Sequence, residues 1–155
     1  MHEIEIAGHS YRFLRMDLKM QSHLSRRLFA LVDKVAPDQF KAALSEGGVG
    51  NEEVLLPLLK AISGMEDAQF DAIIDPCMKH IQRRAPGGAA WSPVMISNGK
   101  VMFEDITVPI MIRLTLEAVR TNLGPSLATV GDALSGLFGS SQEEAQPNPD
   151  QALTN

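Results

Sequence analysis

The chain has 155 residues, 45% of them hydrophobic and 21% charged, which is typical of a single globular domain. Its formal net charge of -5 argues against binding to nucleic acid or to an anionic membrane surface. The single cysteine excludes an internal disulfide, and no segment approaches the roughly 18 consecutive apolar residues of a membrane-spanning helix. Because no signal peptide follows Met1, we expect a soluble intracellular protein.

Alternating apolar and polar residues near the N-terminus predict a half-buried β-hairpin with its turn at Gly8. Its inward positions would be Ile4, Ile6, Tyr11 and Phe13. Asp17 follows as a candidate N-cap for a helix from Leu18 to about Val35, because Asp accepts hydrogen bonds from the first free amides of a helix. The apolar residues at helical spacing are Met20, Leu24, Leu28, Leu31 and Val35.

Three further helices are predicted in the middle of the chain, over residues 38–44, 52–62 and 66–81. Pro76 lies inside the third of these helices and should kink it or split it in two. The segment 83–88, which contains two arginines, a proline and two glycines, is predicted to be a loop.

A second hairpin is predicted around the segment Ser97-Asn98-Gly99-Lys100, because Asn-Gly favours the tight turn that joins two strands. Its strands would contain Val94 and Ile96 on one side and Val101 and Phe103 on the other. These strands therefore pair locally.

The apolar period becomes helical from Thr107, with Pro109 in the first turn and Asp105 or Thr107 as the cap. Apolar residues cover an arc wider than that of a surface helix, which predicts a buried central helix. The positions that form this arc are Val108, Ile110, Met111, Ile112, Leu114, Thr115, Leu116, Val119 and Leu123.

Gly124-Pro125 ends the central helix, and a weaker, glycine-containing helix follows it. The last sixteen residues hold two prolines, three acidic residues and no Lys or Arg, which predicts a disordered acidic polar tail over residues 140–155. We therefore expect one globular α+β domain over residues 1–139. It would be mainly helical, with an N-terminal β-hairpin and a second β-hairpin before the central buried helix.

The sequence contains few residues in patterns suited to catalysis, metal binding or phosphate binding. Cys77 and His80 share one helix face, but two ligands make only half a zinc site, and no third group orients them as a nucleophile and its base. Gly87-Gly88 after Arg83-Arg84 suits phosphate, yet no phosphate-binding or dinucleotide-binding fingerprint follows. We predict no enzymatic activity, catalytic residue, metal or cofactor. The alternative is a small cytoplasmic enzyme that uses Cys77 and His80.

Eight methionines and the single tryptophan, Trp91, are the residues suited to binding another protein. Methionine fills core gaps but also adapts to apolar partners, and Trp91 is either an anchor at the core or sheet edge or a partner contact. The partner-binding residues we predict are Met20, Trp91 and Met111.

The order of these elements resembles that of small tail assembly chaperone-like proteins from long-tailed phages and prophages. The similarity begins with the segment from Ile4 to Phe13 and with Met16 before a helix. It continues with Trp91 and the segment from Val101 to Ile106, and ends with the segment from Val119 to Pro125 before a polar tail.

This resemblance implies a non-enzymatic binding protein of the bacterial host cytoplasm. Its partner would be the tape-measure protein, whose apolar helices it would keep soluble while tail-tube subunits assemble, and the tail-tube protein is a further implied partner. Nucleic acid and membrane are not expected partners. A regulatory adaptor that binds a host protein is the other alternative.

Overall fold

A four-stranded antiparallel sheet and three long helices organise the part of the chain that the computed structural model describes, residues 2–32, 56, 59–60 and 62–124. The chain divides into two units, Met1–Gly124 and Pro125–Asn155, and both the sheet and the three helices belong to the first unit. The strands are β1 (His2–Ile6), β2 (His9–Phe13), β3 (Ile81–Arg84) and β4 (Trp91–Pro93). The helices are α1 (Leu18–Val32), α2 (Asp67–Lys79) and α3, which covers residues 108–124.

This architecture confirms the predicted α+β class, with one hairpin at the N-terminus and another before a buried helix. The predicted helix 38–44, the helix after Gly124 and the tail 140–155 lie outside the described residues, so the domain boundary at residue 139 stays a prediction. In the predicted helix 52–62, residues 56, 59–60 and 62 are described, and they are helical.

The N-terminal hairpin forms as its alternating pattern predicts. Ala7 and Gly8 make a two-residue turn in which both φ angles are positive, 51° and 78°. Such a turn matches the twist of the two strands that it joins. Ile6, Tyr11 and Phe13 are buried on the inner face of the sheet, whereas Glu3 and Glu5 are exposed on the outer face.

Helix α1 begins where predicted, because the Asp17 Oδ1 atom accepts the Met20 N–H at 2.8 Å. Leu24 and Leu28 are buried, but Met20, which was expected on the inward side, is only half-buried. The prediction for Val35 lies outside the described residues. One end of α1 therefore presents a methionine close to solvent.

Helix α2 remains one helix across Pro76, so the split, one of the two predicted effects of this proline, does not occur, and the kink stays a prediction. A proline cannot donate a hydrogen bond to the carbonyl four residues earlier, which here belongs to Ala72. The Arg27 Nη1 atom of α1 donates to that Ala72 oxygen at 2.7 Å. This contact replaces the missing helical bond and joins α1 to α2.

The second hairpin lies earlier in the chain than predicted. Helix α2 ends at Lys79, and Ile81 begins strand β3, which pairs with both β2 and β4. The segment 83–88 is therefore not entirely loop, because Arg83 and Arg84 are strand residues. Arg83 fits on the buried face because a distant carboxylate, that of Asp105, neutralises its charge.

The predicted hairpin at Asn98-Gly99 is reduced to one isolated bridge between Met95 and Val101. Gly99 has a φ of 81°, as the turn requires. Val94 and Met95 are both buried, however, so the segment lacks the alternation that a regular strand on one sheet face needs. The Val94 amide donates to the Ile81 carbonyl of β3 at 3.0 Å, and the Val94 carbonyl accepts the Met102 N–H at 2.8 Å.

Helix α3 is the buried helix that the sequence predicts, with the core residues Ile112, Leu114, Ala118, Val119 and Leu123. Val108, predicted to be part of its apolar arc, is 60% exposed. Neither predicted cap side chain bonds to the described start of the helix: the Asp105 carboxylate binds Arg83, and the Met111 amide donates to the Thr107 main-chain oxygen.

A buried asparagine joins α3 to the connection between β2 and α1. The Asn122 Oδ1 atom accepts the Met16 N–H at 2.8 Å, and its Nδ2 atom donates to the Leu14 carbonyl at 3.3 Å. Because a connection has no helix or sheet ladder to satisfy its amides, the side chain of Asn122 performs that task. These contacts fix where α1 leaves the sheet.

Candidate functional site

A groove of about 440 Å³ lies between α1 and α2. Each helix contributes side chains from one face, at the three- and four-residue spacings that place them side by side. The residues of α1 and its cap that line the groove are Asp17, Lys19, Met20, His23 and Arg27. Those of α2 are Ala68, Asp71, Ala72, Asp75, Pro76 and Lys79.

We call the apolar lining residues on the α2 side, Ala68, Ala72 and Pro76, the floor of the groove. They follow one another at intervals of four residues, and Ala68 is exposed whereas the other two are half-buried. Their small side chains leave room between the helices. Met20 borders the same space from α1, and its half-buried, flexible thioether side chain can adapt to apolar surfaces of different shape. This part of the groove is therefore suited to an apolar occupant.

Charged side chains of both signs surround that floor. Lys19 and Arg27 lie on α1, and Asp71, Asp75 and Lys79 lie on α2. None of them forms an ion pair within the described part of the chain. Arg27 is already bound to the Ala72 carbonyl oxygen of α2. The groove thus combines an apolar floor with a charged border whose other side chains, Lys19, Asp71, Asp75 and Lys79, can contact a partner.

A second cluster, around Arg83, joins β2, β3 and the segment before α3. Its Nη1 atom donates to both carboxylate oxygens of Asp105 at 2.8 Å, and its Nη2 atom lies 2.8 Å from the ring nitrogens of His9. The guanidinium carbon is also 4.4 Å from the Phe103 ring centroid. The hydrogen bond from Arg83 lowers the pKa of Asp105. Burial raises the pKa of the neighbouring Tyr11.

Cys77 and His80 do not form a reactive pair. Cys77 is completely buried, and burial raises the pKa of its thiol to about 12. The His80 Nδ1 atom lies 2.7 Å from the Pro76 carbonyl oxygen, so this ring nitrogen is engaged by the main chain. A thiol that stays protonated is a poor nucleophile and a poor metal ligand. Among the described residues, no group of three or more potential ligands could hold a metal ion.

The three residues predicted to bind a partner lie on three different elements. Met20 lines the groove, Trp91 begins the edge strand β4, and Met111 is a half-buried residue of α3. Of the three, only Met20 lines the groove. The residues that the sequence reasoning missed are the small ones of the floor, whose only signal was their four-residue spacing on a predicted helix.

The comparison with protein families gives this geometry its context. A family model described as "Phage tail assembly chaperone protein, TAC" matches residues 7–144, which is most of the chain. The chain belongs to this family of tail assembly chaperones, which confirms the resemblance seen in the sequence. No curated protein and no solved structure matches it. Within the residues that the structure describes, no helix is long and apolar enough to cross a membrane.

Proposed function

We propose that the chain binds apolar helical segments of the tape-measure protein and keeps that protein soluble while the tail is assembled. The family supports a role in tail assembly, and the observation that carries the finer proposal is the groove between α1 and α2. Binding of this kind makes and breaks no covalent bond, so the proposed function is not enzymatic. Its proposed place is the cytoplasm of the bacterial host.

The dimensions of the floor support a helical occupant. The rise from Ala68 to Pro76 along α2 is roughly 12 Å, at about 1.5 Å per residue. A helix that docks in a groove presents anchors at positions i, i+3, i+4 and i+7, which span about 10 Å. Two turns of an apolar helix therefore match the length of the floor.

The charged border supports reversible binding. Before a client binds, charged side chains keep the margin of the groove hydrated, which opposes association between copies of the chaperone. These side chains are Lys19, Asp71, Asp75 and Lys79. Bound helices contact the floor, while charges at the border contribute little energy because they stay close to water. A chaperone must release its client, and a small apolar floor without buried ion pairs meets that need.

Two further surfaces are proposed to contact partners. Met111 lies three residues after Val108 on α3, and Val108 is 60% exposed, so the two residues are neighbours on one helix face. Trp91 lies on the edge strand of the sheet. We propose these surfaces for additional contacts with the tape-measure protein or the tail-tube protein.

Co-expression tests the proposal. The tape-measure protein from the same gene cluster should be largely insoluble alone and should become soluble and co-purify when the wild-type chaperone is present. Ala68→Glu places a charge on the groove floor, and it should abolish this effect because the bound helix would bury an unpaired carboxylate, which is costly. Ala30→Glu, an identical change at an exposed α1 position outside the groove, is the matched control.

The proposal is wrong if the tape-measure protein stays insoluble with the wild-type chaperone and no complex elutes. Equal solubility with the Ala68→Glu and Ala30→Glu variants would contradict the groove as its binding site. Capture of a host protein instead of a tail protein would favour the regulatory adaptor.

A further inference from the structure

The outer face of the sheet carries two arginines beside the only tryptophan of the chain. Cross-strand pairing places Arg12 opposite Gln82, and Arg84 opposite Trp91, on this face. The Arg12 guanidinium carbon is 4.7 Å from the Trp91 ring centroid, and that of Arg84 is 5.9 Å from it. We call Arg12, Arg84 and Trp91 the tryptophan–arginine patch.

The geometry points to a binding site in this patch for a carboxylate-bearing segment of a protein partner. The patch shares no residue with the groove. The inference rests on the proposed contact at Trp91 and names the chemistry of its partner, and it does not depend on binding in the groove. It rests on how the two guanidinium groups are held and on the charges around them.

Each arginine is fixed by one hydrogen bond that leaves its terminal nitrogens available. The Arg12 Nε atom donates to Gln82 Oε1 at 2.6 Å, and the Arg84 Nε atom donates to the Gly88 carbonyl at 3.2 Å. Within the described residues, no hydrogen bond or ion pair engages the Nη atoms of either residue. A guanidinium with two free terminal nitrogens is arranged to bind a carboxylate with two hydrogen bonds.

Other arginines of the same unit show the contrast. Arg83 binds the Asp105 carboxylate, and Arg120 binds the Glu117 carboxylate, each at 2.8 Å. The charges of these two arginines are neutralised by carboxylates of the same chain. Arg12 and Arg84 instead lie beside a half-exposed aromatic ring, which holds them in place and adds an apolar surface for the partner to cover.

The acidic side chains on the outer face of strand β1 favour a peptide over a nucleic acid as the partner. Glu3 is opposite Arg12 in the cross-strand register, and Glu5 lies further along β1 on the same outer face. These exposed carboxylates and the net charge of -5 repel a polyphosphate chain. A peptide with one or two acidic residues brings fewer negative charges to the two arginines, so these carboxylates repel it less than they repel a polyphosphate.

The area of the face also favours a segment over a second copy of the chain. Four strands of three to five residues present on the order of 250 Å², at strand spacings near 4.8 Å and about 3.3 Å per residue. A stable protein interface buries about 800 Å² on each partner. A short extended segment fits on this face alone, whereas a second copy of the chain would need surface beyond the sheet.

Tryptophan fluorescence tests the inference directly, because Trp91 is the only tryptophan. The probe is a blocked Glu-Thr-Glu-Thr peptide, which carries two carboxylates, added to the full-length protein at low salt. It should shift the Trp91 emission saturably, and added NaCl should weaken its binding. The matching Gln-Thr peptide should produce no saturable shift.

Arg12→Gln and Arg84→Gln should each weaken binding of the acidic peptide about three- to fivefold, the effect expected of an exposed charge pair. Arg26→Gln, which removes the same charge from an exposed position of α1, should leave binding unchanged. Circular dichroism spectra identical to that of the wild type will establish that these surface variants fold.

The inference is wrong if the acidic peptide produces no saturable shift, if the Gln-Thr peptide binds equally well, or if all three arginine variants lose binding equally. Tighter binding of a thymidine decanucleotide than of the acidic peptide would also overturn it, in favour of nucleic acid. None of these results depends on the tape-measure protein, so failure of this inference and failure of the proposed function are distinguishable.

Discussion

Replacement of Asn122 by alanine should destabilise the protein far more than removal of a polar side chain from an exposed turn. In the wild type, Asn122 accepts the buried Met16 N–H at 2.8 Å and donates to the Leu14 carbonyl. In Asn122→Ala, the Met16 amide would lose its partner without reaching water. The Ala118 carbonyl, the third group that Asn122 contacts, keeps its place in the helical ladder of α3.

The size of the effect follows from that buried amide. An unsatisfied buried donor costs about 1–3 kcal/mol, so we expect the free energy of unfolding to fall by about 2 kcal/mol. For a domain of this size, this corresponds to a decrease in Tm of roughly 8 °C. Asn98→Ala is the control, because Asn98 Oδ1 accepts the Lys100 N–H in an exposed turn, where water can replace it. The control should lose less than about 0.5 kcal/mol.

Urea unfolding followed by circular dichroism measures both variants on the same scale. If Asn122→Ala loses no more stability than Asn98→Ala, the Asn122 side chain does not hold α3 to the β2–α1 connection, and the proposed link between sheet and helix is wrong. A change in the urea dependence itself would instead indicate altered compactness of one state.

Three further predictions concern the thiol, a carboxylate and a turn. The Cys77 thiol has a pKa of about 12 in the folded protein. At pH 8 it should therefore react with a disulfide reagent on the order of a thousandfold more slowly in the folded protein than after denaturation. Rapid labelling of the folded protein would support the enzyme alternative. Because Arg83 lowers the pKa of Asp105 below its ordinary 3.8, the pair should stabilise the fold above about pH 4 and lose this effect as the pH falls through the folded pKa. Asp105→Asn should therefore reduce stability at pH 7 more than at pH 3, and equal losses at both values would refute this. Ala7 has a φ of 51°, so Ala7→Asn should raise the free energy of unfolding by roughly 0.5–1 kcal/mol, which thermal unfolding would detect; a decrease would mean that the turn is not strained.

The elements predicted well are those whose signals are local. The N-terminal hairpin follows from alternation and Gly8, and α1 follows from Asp17 and its apolar spacing. Strand β3 was missed because Arg83 looks like a loop residue until Asp105, far along the chain, neutralises it. Likewise, nothing near Pro76 reveals that Arg27 will replace the missing helical hydrogen bond.

The binding surfaces were harder to predict because they depend on which elements become neighbours. Met20 lines the groove, but its role in binding stays a prediction. Ala68 and Ala72 are ordinary helix-forming residues until α1 lies beside α2 and their small size creates space. The tryptophan–arginine patch likewise required the register that brings Arg84 opposite Trp91.

Site-specific photocrosslinking is the most direct measurement of the central claim, that the groove shelters helices of the tape-measure protein. A photoreactive residue placed at position 68, on the groove floor, should crosslink to the co-expressed tape-measure protein, while the same residue at position 30, outside the groove, should not. Crosslinks of equal yield at both positions, or none to the tape-measure protein from position 68, would contradict the claim.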